Sequence, residues 1–181
     1  MKLDDAKETS DWVLARSILS ALSMGGGGSD SSETDFSEDE EADGILIKAY
    51  GWCKTSARYY RDSRKEHVIP SPASMRATLE CLESVVGRER VWEIISKFPY
   101  TVAFEADKVE IQLDRIVGRF KIDAAMLATV VVRRPDLLGM QFDCKRLEGG
   151  RCRGKCGKCF SSRRAGLNRN ERPDLDSLLD W

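Results

Sequence analysis

The feature that most constrains this sequence is the helical spacing of apolar residues between residue 70 and about residue 140. Apolar side chains return there every three or four positions, which places them on one face of a helix. Four such faces follow one another, and no stretch alternates like a strand for long. The faces consist of Met75, Leu79, Leu82, Val85 and Val86; Val91, Ile94, Ile95 and Phe98; Val109, Leu113, Ile116 and Phe120; and Met126, Leu127, Val130 and Val131. The spacing predicts an all-α core of short antiparallel helices.

Capping and breaking residues mark the ends of these helices. Ser71 followed by Pro72 is typical of a helix start, because the hydroxyl caps free backbone N–H groups and proline fits the first helical position. Gly87 closes the first helix, and the second stops at Pro99. Asp123 caps the fourth helix. The pattern therefore predicts the boundaries of the helices as well as their number.

The second and fourth helices repeat one another. Residues 91–99 align with residues 127–135, proline on proline, and an apolar pair follows each proline after one intervening residue, imperfectly in the first copy. Pro99 and Pro135 lie 36 residues apart, a period typical of helical repeats. Since one such unit cannot bury its own apolar face, the units must stack. The sequence thus predicts a short α-solenoid-like array over residues 45–142.

This repeat resembles that of the mitochondrial transcription termination factor (mTERF) family. VVVRRPDLLGM, residues 130–140, has the apolar helix, the basic residue with proline and the leucine pair of that family, and VWEIISKFPYTVAF, residues 91–104, is a looser copy. The resemblance covers residues 75–142, about two repeats. It implies an α-solenoid that binds double-stranded DNA or RNA in a basic groove. It also implies a role in transcription termination or RNA processing in a plastid or mitochondrion.

The resemblance carries over to particular positions. Pro99 and Pro135 correspond to the repeat prolines, and the bases beside them, Lys97, Arg133 and Arg134, are expected to contact phosphates. Two features depart from the family. Its members usually have many more repeats, and residues 1–44 are rich in acids, whereas organelle transit peptides are poor in them. A nuclear or cytosolic location is therefore the alternative.

Charge is segregated along the chain although the net charge is only −1. Residues 1–44 carry a strong excess of acids, residues 145–172 have ten bases and two acids, and the last nine residues are acidic. Such segregation is typical of interaction proteins. The single histidine, His67, argues against His-based acid–base catalysis, and the sequence contains no nucleophile–base pair. We therefore expect no enzyme, and we expect no membrane span because no apolar run is long enough.

The N-terminal third divides into two predicted parts. Residues 1–23 contain a short amphipathic helix that starts at Ser10, with Thr9 or Ser10 as its cap, and that either packs on its own domain or docks a partner. Residues 24–44 combine a glycine run with Ser, Asp and Glu. Because that composition buries little apolar surface, it predicts a disordered acidic linker.

A basic Cys-rich segment occupies residues 143–172. Its four cysteines, Cys144, Cys152, Cys156 and Cys159, match the tetrahedral demand of structural zinc, and unligated thiols are the alternative. Basic side chains between and after the cysteines are expected to contact nucleic-acid phosphates. These are Arg151, Arg153, Lys155, Lys158, Arg163 and Arg164.

The last segment, residues 173–181, alternates acids with apolar side chains and ends in Trp181. As a helix it would gather the apolar residues on one side, either to dock a protein partner or to fold back on the core. Two functions follow from the sequence. The first is an mTERF-like, nucleic-acid-binding protein of organellar gene expression. The second is a non-enzymatic protein–protein adaptor that uses the helical repeats and the apolar ends at Trp12 and Trp181.

Overall fold

A computed structural model describes residues 2–24, 35–52 and 68–139. Within these ranges every regular element is a helix, which confirms the all-α prediction. No helix among them is long and apolar enough to cross a membrane. The α-helices are α1 (Leu3–Lys7), α2 (Ser10–Met24), α3 (Asp35–Ala49), α4 (Pro72–Val86), α5 (Arg88–Lys97), α6 (Ala106–Phe120) and α7 (Ala124–Arg133). Two 3₁₀ helices, which we call the first and second proline turns, span Pro99–Ala103 and Pro135–Gly139.

The amphipathic N-terminal helix forms where the sequence predicts it. It begins at Ser10, and the Thr9 hydroxyl oxygen accepts the backbone N–H of Trp12 at 3.3 Å, so Thr9 acts as the cap. Its apolar face, which includes Trp12 and Leu19, belongs to the buried core. The helix therefore packs on its own domain. The short helix α1 that precedes it was not predicted.

The prediction of a disordered linker over residues 24–44 is wrong for residues 35–44, which belong to α3. Ala42 and Asp43 are buried there, and α3 packs against α2 and the first proline turn. The prediction failed because it rested on composition, and the start of α3 is rich in acids. Its apolar face comes mostly from residues after 44, including Ile45 and Leu46, so the linker prediction divided one helix between two segments.

Asp43 explains how an acid of this region enters the core. Its Oδ1 accepts a hydrogen bond from the Trp12 indole N–H at 2.8 Å. Its Oδ2 pairs with Lys7 Nζ at 3.0 Å and with Arg16 at 3.7 Å. A buried carboxylate is tolerated when it is paired and hydrogen-bonded in this way. Asp43 therefore joins all three N-terminal helices.

The sequence repeat is also a structural repeat. Unit 1 consists of α4, α5 and the first proline turn, and unit 2 of α6, α7 and the second proline turn. The three elements have 15, 10 and 5 residues in both units. Both long helices pack against each other, and so do both short helices. The two predicted repeats are thus present, while the α-solenoid arrangement stays a prediction.

The caps predicted from the sequence lie at the helix starts. The Ser71 hydroxyl oxygen accepts the N–H of Ser74 at 3.4 Å, and Asp123 Oδ1 accepts the N–H of Met126 at 2.8 Å. Gly87 ends α4 with a φ of 82°, a left-handed conformation that favours glycine. Because Gly87 alone joins α4 to α5, and the two helices pack together, they form a tight hairpin.

Each short helix ends in the same way before its proline. The N–H of Phe98 bonds to the carbonyl of Ile94 at 2.9 Å, and the N–H of Arg134 bonds to the carbonyl of Val130 at 2.8 Å. Proline then prevents the helix from continuing, and the chain tightens into a 3₁₀ turn. The 36-residue period therefore marks equivalent backbone positions.

The units stack in the same direction. Lys97 at the end of α5 reaches the carbonyl of Val132 in the last turn of α7, at 3.3 Å. The two proline turns also contact each other, since the ring of Phe98 lies directly against Gly139. The C-terminal ends of α5 and α7 thus share one side of the array, which we call the proline edge. Their starts share the opposite side, which we call the hairpin edge.

Candidate nucleic-acid interface

Lys97 and Arg133 are the last residues of α5 and α7, and both are exposed. The 36-residue period makes them equivalent positions of the two units. Because Lys97 Nζ lies 3.3 Å from the carbonyl of Val132, the residue before Arg133, the two cations are neighbours on the proline edge. The fold therefore brings together two of the three bases that the resemblance singled out there.

Lys97 has structural contacts as well. Its ammonium pairs with Glu93 Oε1 at 2.5 Å, one turn earlier on α5. It also lies at the C-terminal end of a helix, where the helix dipole favours a positive charge. About half of the side chain is nonetheless exposed, so its pairing with Glu93 is a surface ion pair that solvent screens. The candidate site therefore consists of exposed positive charges on a helix edge and not of a pocket shaped for one ligand.

The structure does not support the prediction that Arg134 contacts phosphate, because its side chain is buried and paired within the chain. Only 8% of it is exposed, and its guanidinium donates two hydrogen bonds to Asp136, from Nε to Oδ1 at 2.9 Å and from Nη2 to Oδ2 at 3.0 Å. The period shows why it points inward, because Arg134 is equivalent to Phe98, which is also buried. The guanidinium of Arg134 thus makes a bidentate pair with the carboxylate of Asp136. Arg134 is therefore not part of the interface.

The remaining predicted site residues lie outside the described residues. They are Cys144, Cys152, Cys156 and Cys159, and Arg151, Arg153, Lys155, Lys158, Arg163 and Arg164. Within residues 2–24, 35–52 and 68–139, no group of three His, Cys, Asp or Glu residues is placed to hold a metal ion. The zinc prediction for the Cys-rich segment is untouched by this and stays a prediction.

Trp12 is not available to dock a partner, contrary to its predicted part in the adaptor hypothesis. It is fully buried, its ring meets that of Trp52 edge-on at 6.3 Å between centroids, and its N–H binds Asp43. Helical spacing alone does not say what covers an apolar face, so the sequence left packing on the domain and docking of a partner as alternatives. Val13 and Leu14 on the opposite side of α2 are 41% and 45% exposed.

Several polar residues hold the proline turns, and sequence reasoning missed them. Gln112 Nε2 donates to the carbonyl of Leu137 at 2.7 Å, and the Thr78 hydroxyl donates to that of Phe104 at 2.7 Å. Both residues are the seventh of their 15-residue helices. A signal was present for Gln112, which falls on the apolar face of α6 beside Leu113 and is buried. A polar residue on such a face needs an internal partner.

Tyr50 ties the N-terminal helices to the repeat. Its hydroxyl donates to the carbonyl of Val102 in the first proline turn at 3.2 Å. Burial raises the pKa of this phenol to about 12, and a backbone hydrogen bond with Ser71 opposes the shift. Tyr50 therefore stays neutral over the ordinary pH range, and it fixes the position of the first proline turn.

Two titratable side chains besides Tyr50 have shifted pKa values among the described residues. Burial raises the pKa of the Cys81 thiol, and the nearby carboxylate of Glu110 raises it further, so this half-buried thiol stays protonated. Lys108 is a paired cation, whose pKa is raised by a hydrogen bond to Glu105. Neither residue adds to the interface.

Comparison with known proteins adds no assignment. The chain matches no protein-family model, no curated protein and no solved structure. The resemblance to the mTERF repeat therefore rests on the motif residues themselves.

Proposed function

We propose that this chain binds nucleic acid and acts in gene expression without catalysing a reaction, as the mTERF resemblance implies. Lys97 and Arg133 on the proline edge contact phosphates, together with the basic Cys-rich segment, residues 143–172. The observation that carries the proposal is the equivalence of these two exposed cations, one at the end of the short helix in each unit.

The arrangement of charge supports this proposal. The second proline turn ends at Gly139, and the basic segment begins four residues later. Residues 145–172 contain ten bases and two acids. The chain that carries Lys97 and Arg133 therefore continues, a few residues after the second proline turn, into a strongly basic sequence. Contacts of basic side chains with phosphates supply most of the affinity of nonspecific nucleic-acid binding.

Salt dependence of binding tests the proposal. We expect the full chain to bind a random-sequence DNA duplex with an affinity that falls steeply as salt rises, because each phosphate contact releases counterions. A truncation ending at Cys144 measures the share of the basic segment. Replacing Lys97 and Arg133 by Gln is expected to lower the slope of log affinity against log salt by about two.

The matched control replaces Lys2 and Arg115 by Gln, which removes the same charge from exposed positions away from the proline edge. This variant is expected to keep the wild-type slope. Absence of any binding to DNA duplex, single-stranded DNA or RNA would refute the proposal. Thermal melting of each variant verifies that the helices remain folded.

The location within the cell is a separate part of the proposal. The resemblance points to a plastid or mitochondrion, and fluorescence of the full chain carrying a C-terminal tag tests this. Signal confined to the nucleus or cytosol would contradict the organellar role and would leave nucleic-acid binding to be judged by the salt experiment.

A protein–protein adaptor is the second candidate, and one observation favours it. Val13 and Leu14 lie side by side on α2 and are 41% and 45% exposed. In this alternative they dock a protein together with residues 173–181. Binding of a protein partner that survives high salt but is lost on deleting residues 173–181, or in Val13→Ser/Leu14→Ser, would favour the adaptor.

A further inference from the structure

Four exposed cations gather on the hairpin edge, opposite the site proposed above. Arg88 and Arg90 lie in the first turn of α5, Arg119 lies in the last turn of α6, and Lys121 follows that helix. Because α5 and α7 run in the same direction with their C-terminal ends together, the start of α5 and the α6–α7 bend lie on the same side of the array. None of these residues was singled out by the sequence pattern.

The acids of this edge are turned toward helix ends. The carboxylate of Glu89 folds back over Gly87, where a Cβ built on the glycine would lie 2.7 Å from Oε1. Asp123 accepts the N–H of Met126 and caps α7. Glu83, one turn before the end of α4, is half-buried. No ion pair joins any of the four cations to another residue of the described ranges, so their charges face solvent without a neutralising partner.

Two of the four are placed where local structure does not favour a cation. Arg88 and Arg90 lie at the N-terminal end of α5, where the helix dipole disfavours positive charge. A structural role for these arginines would place them at the opposite end of the helix. Their position therefore suggests that the charge acts on something outside the chain.

Lys121 adds a second observation of the same kind. Its φ of 55° and ψ of 45° are left-handed, a conformation usually left to glycine or asparagine at a helix C-terminus. It is the one non-glycine residue with positive φ in the described part of the chain. The backbone N–H of Lys121 bonds to the carbonyl of Val117 and so caps α6, which explains the conformation, whereas the choice of lysine in place of glycine is what a role of the side chain would explain.

The cations of the two units lie near one pair of packed helices. Arg88 and Arg90 begin α5, and α5 packs against α7, which starts three residues after Lys121. Duplex DNA presents one charge per about 1.7 Å of its axis, so phosphates are available along the whole length of such an edge. Flexible Arg and Lys side chains can contact such closely spaced phosphates without a shaped pocket.

We infer that the hairpin edge, formed by Arg88, Arg90, Arg119 and Lys121, is a second contact surface for the phosphate backbone of a nucleic acid. The inference deepens the proposed function and rests on it. Because the array is about 15 Å deep, the length of a ten-residue helix, a single duplex cannot lie flat on both edges. Two strands or a bent duplex would engage them together.

The experiment measures the affinity of the full chain for a random-sequence DNA duplex as a function of salt. One variant is Arg88→Gln/Arg90→Gln, and the other is Arg119→Gln/Lys121→Gly. The control, Lys2→Gln, removes an exposed cation that precedes α1 and belongs to neither edge. Each hairpin-edge variant is expected to lower the salt slope by about two, while the control keeps the wild-type slope.

A stability readout separates function from folding. Lys121→Gly is expected to melt at a higher temperature than the wild type while binding DNA more weakly, because glycine relieves the left-handed backbone. A weaker binder that is more stable cannot owe its loss to misfolding. If Lys121→Gly binds as the wild type does, Lys121 is no part of the surface.

The outcomes distinguish the two proposals. Wild-type binding with unchanged slopes in both hairpin-edge variants would overturn this inference and leave the proposed function standing. No binding by the wild type would overturn both. If the wild type bound polyglutamate as tightly as the duplex, the edge would be a surface for acidic proteins, and its assignment to nucleic acid would be wrong.

Discussion

Arg133 and Arg134 are neighbours in the chain, yet Arg133 is exposed and Arg134 is buried against Asp136. The motif that suggested two phosphate contacts therefore leaves only Arg133 exposed for the proposed contact. The difference comes from the position before proline, which is occupied by Phe98 in unit 1 and turns toward the core in both units. At the scale of single residues, the repeat period is a better guide to side-chain direction than the residue type.

The Arg134–Asp136 pair leads to a stability prediction. Asp136→Ala leaves a buried guanidinium without its carboxylate and should lower the free energy of unfolding by about 2 kcal/mol, less than for a fully buried pair because Asp136 is partly exposed. Removing both charges in Arg134→Met/Asp136→Ala should restore most of the loss. Urea unfolding measures both values. A double variant no more stable than Asp136→Ala would show that the pair is not what matters.

At the scale of elements, the two proline turns pack closely against each other. A Cβ on Gly139 would lie 2.8 Å from Cζ of the Phe98 ring and 3.3 Å from that of Phe104. Since Gly139 has an ordinary φ, its glycine is required for packing rather than for backbone freedom. The rings of Phe98 and Phe104, which flank the first proline turn, therefore pack directly against Gly139 in the second.

Gly139→Ala is expected to destabilise the chain by about 2 kcal/mol through overpacking. Gly118→Ala is the matched control, because nothing lies within 4 Å of a Cβ at that exposed position in α6. It should stabilise the chain by about 0.5 kcal/mol, since alanine favours a helix interior. Thermal and urea unfolding compare the two. Equal effects would contradict the close packing of the turns.

The link from α3 to the first proline turn predicts a pH dependence. The pKa of Tyr50 is raised from 10.0 to about 12 in the folded chain, so the unfolded chain loses this proton first. Its contribution to stability is complete below pH 10 and declines as pH rises from 10 to 12, by about 3 kcal/mol in total.

Tyr50→Phe isolates this contribution, because the other groups that titrate at high pH remain. The variant should start about 1 kcal/mol less stable, owing to the lost hydrogen bond to Val102. Between pH 10 and 12 its stability should fall less than that of the wild type. Urea unfolding across this range measures the difference, and parallel curves would show that Tyr50 is not protected from ionisation.

At the scale of elements, sequence predicted what local chemistry determines. Ser71, Gly87, Asp123 and the two prolines set helix ends through backbone bonds within a few residues, and all five lie where expected. Asp43 was missed because its partners, such as Trp12, are distant in the chain. A helix cap is visible in the sequence because it acts on residues a few positions away, whereas the pairing of Asp43 with Trp12 joins residues that are 31 positions apart.

For the whole molecule, the kind of interface that we propose follows from the sequence, whereas its place on the surface depends on the fold. Charge segregation and the repeat are properties of the sequence, and Lys97 and Arg133 lie together as the repeat implies. The hairpin edge was not predicted, because its cations come to the same side of the molecule only when the two units stack. The basic segment after Gly139 lies outside the described residues, and its chemistry is the last prediction.

Four thiolates in the Cys-rich segment are expected to bind one zinc ion per chain. Nearby bases such as Arg151 and Lys155 favour the thiolate form and offset the charge of the zinc–thiolate centre. Metal analysis of the purified chain should find zinc, which is lost in Cys156→Ser/Cys159→Ser and retained in the control Cys81→Ser. Thermal unfolding of the described helices should stay unchanged, since they precede the segment. A zinc-free wild type with freely reactive thiols would favour unligated cysteines and would leave phosphate contact to the bases alone.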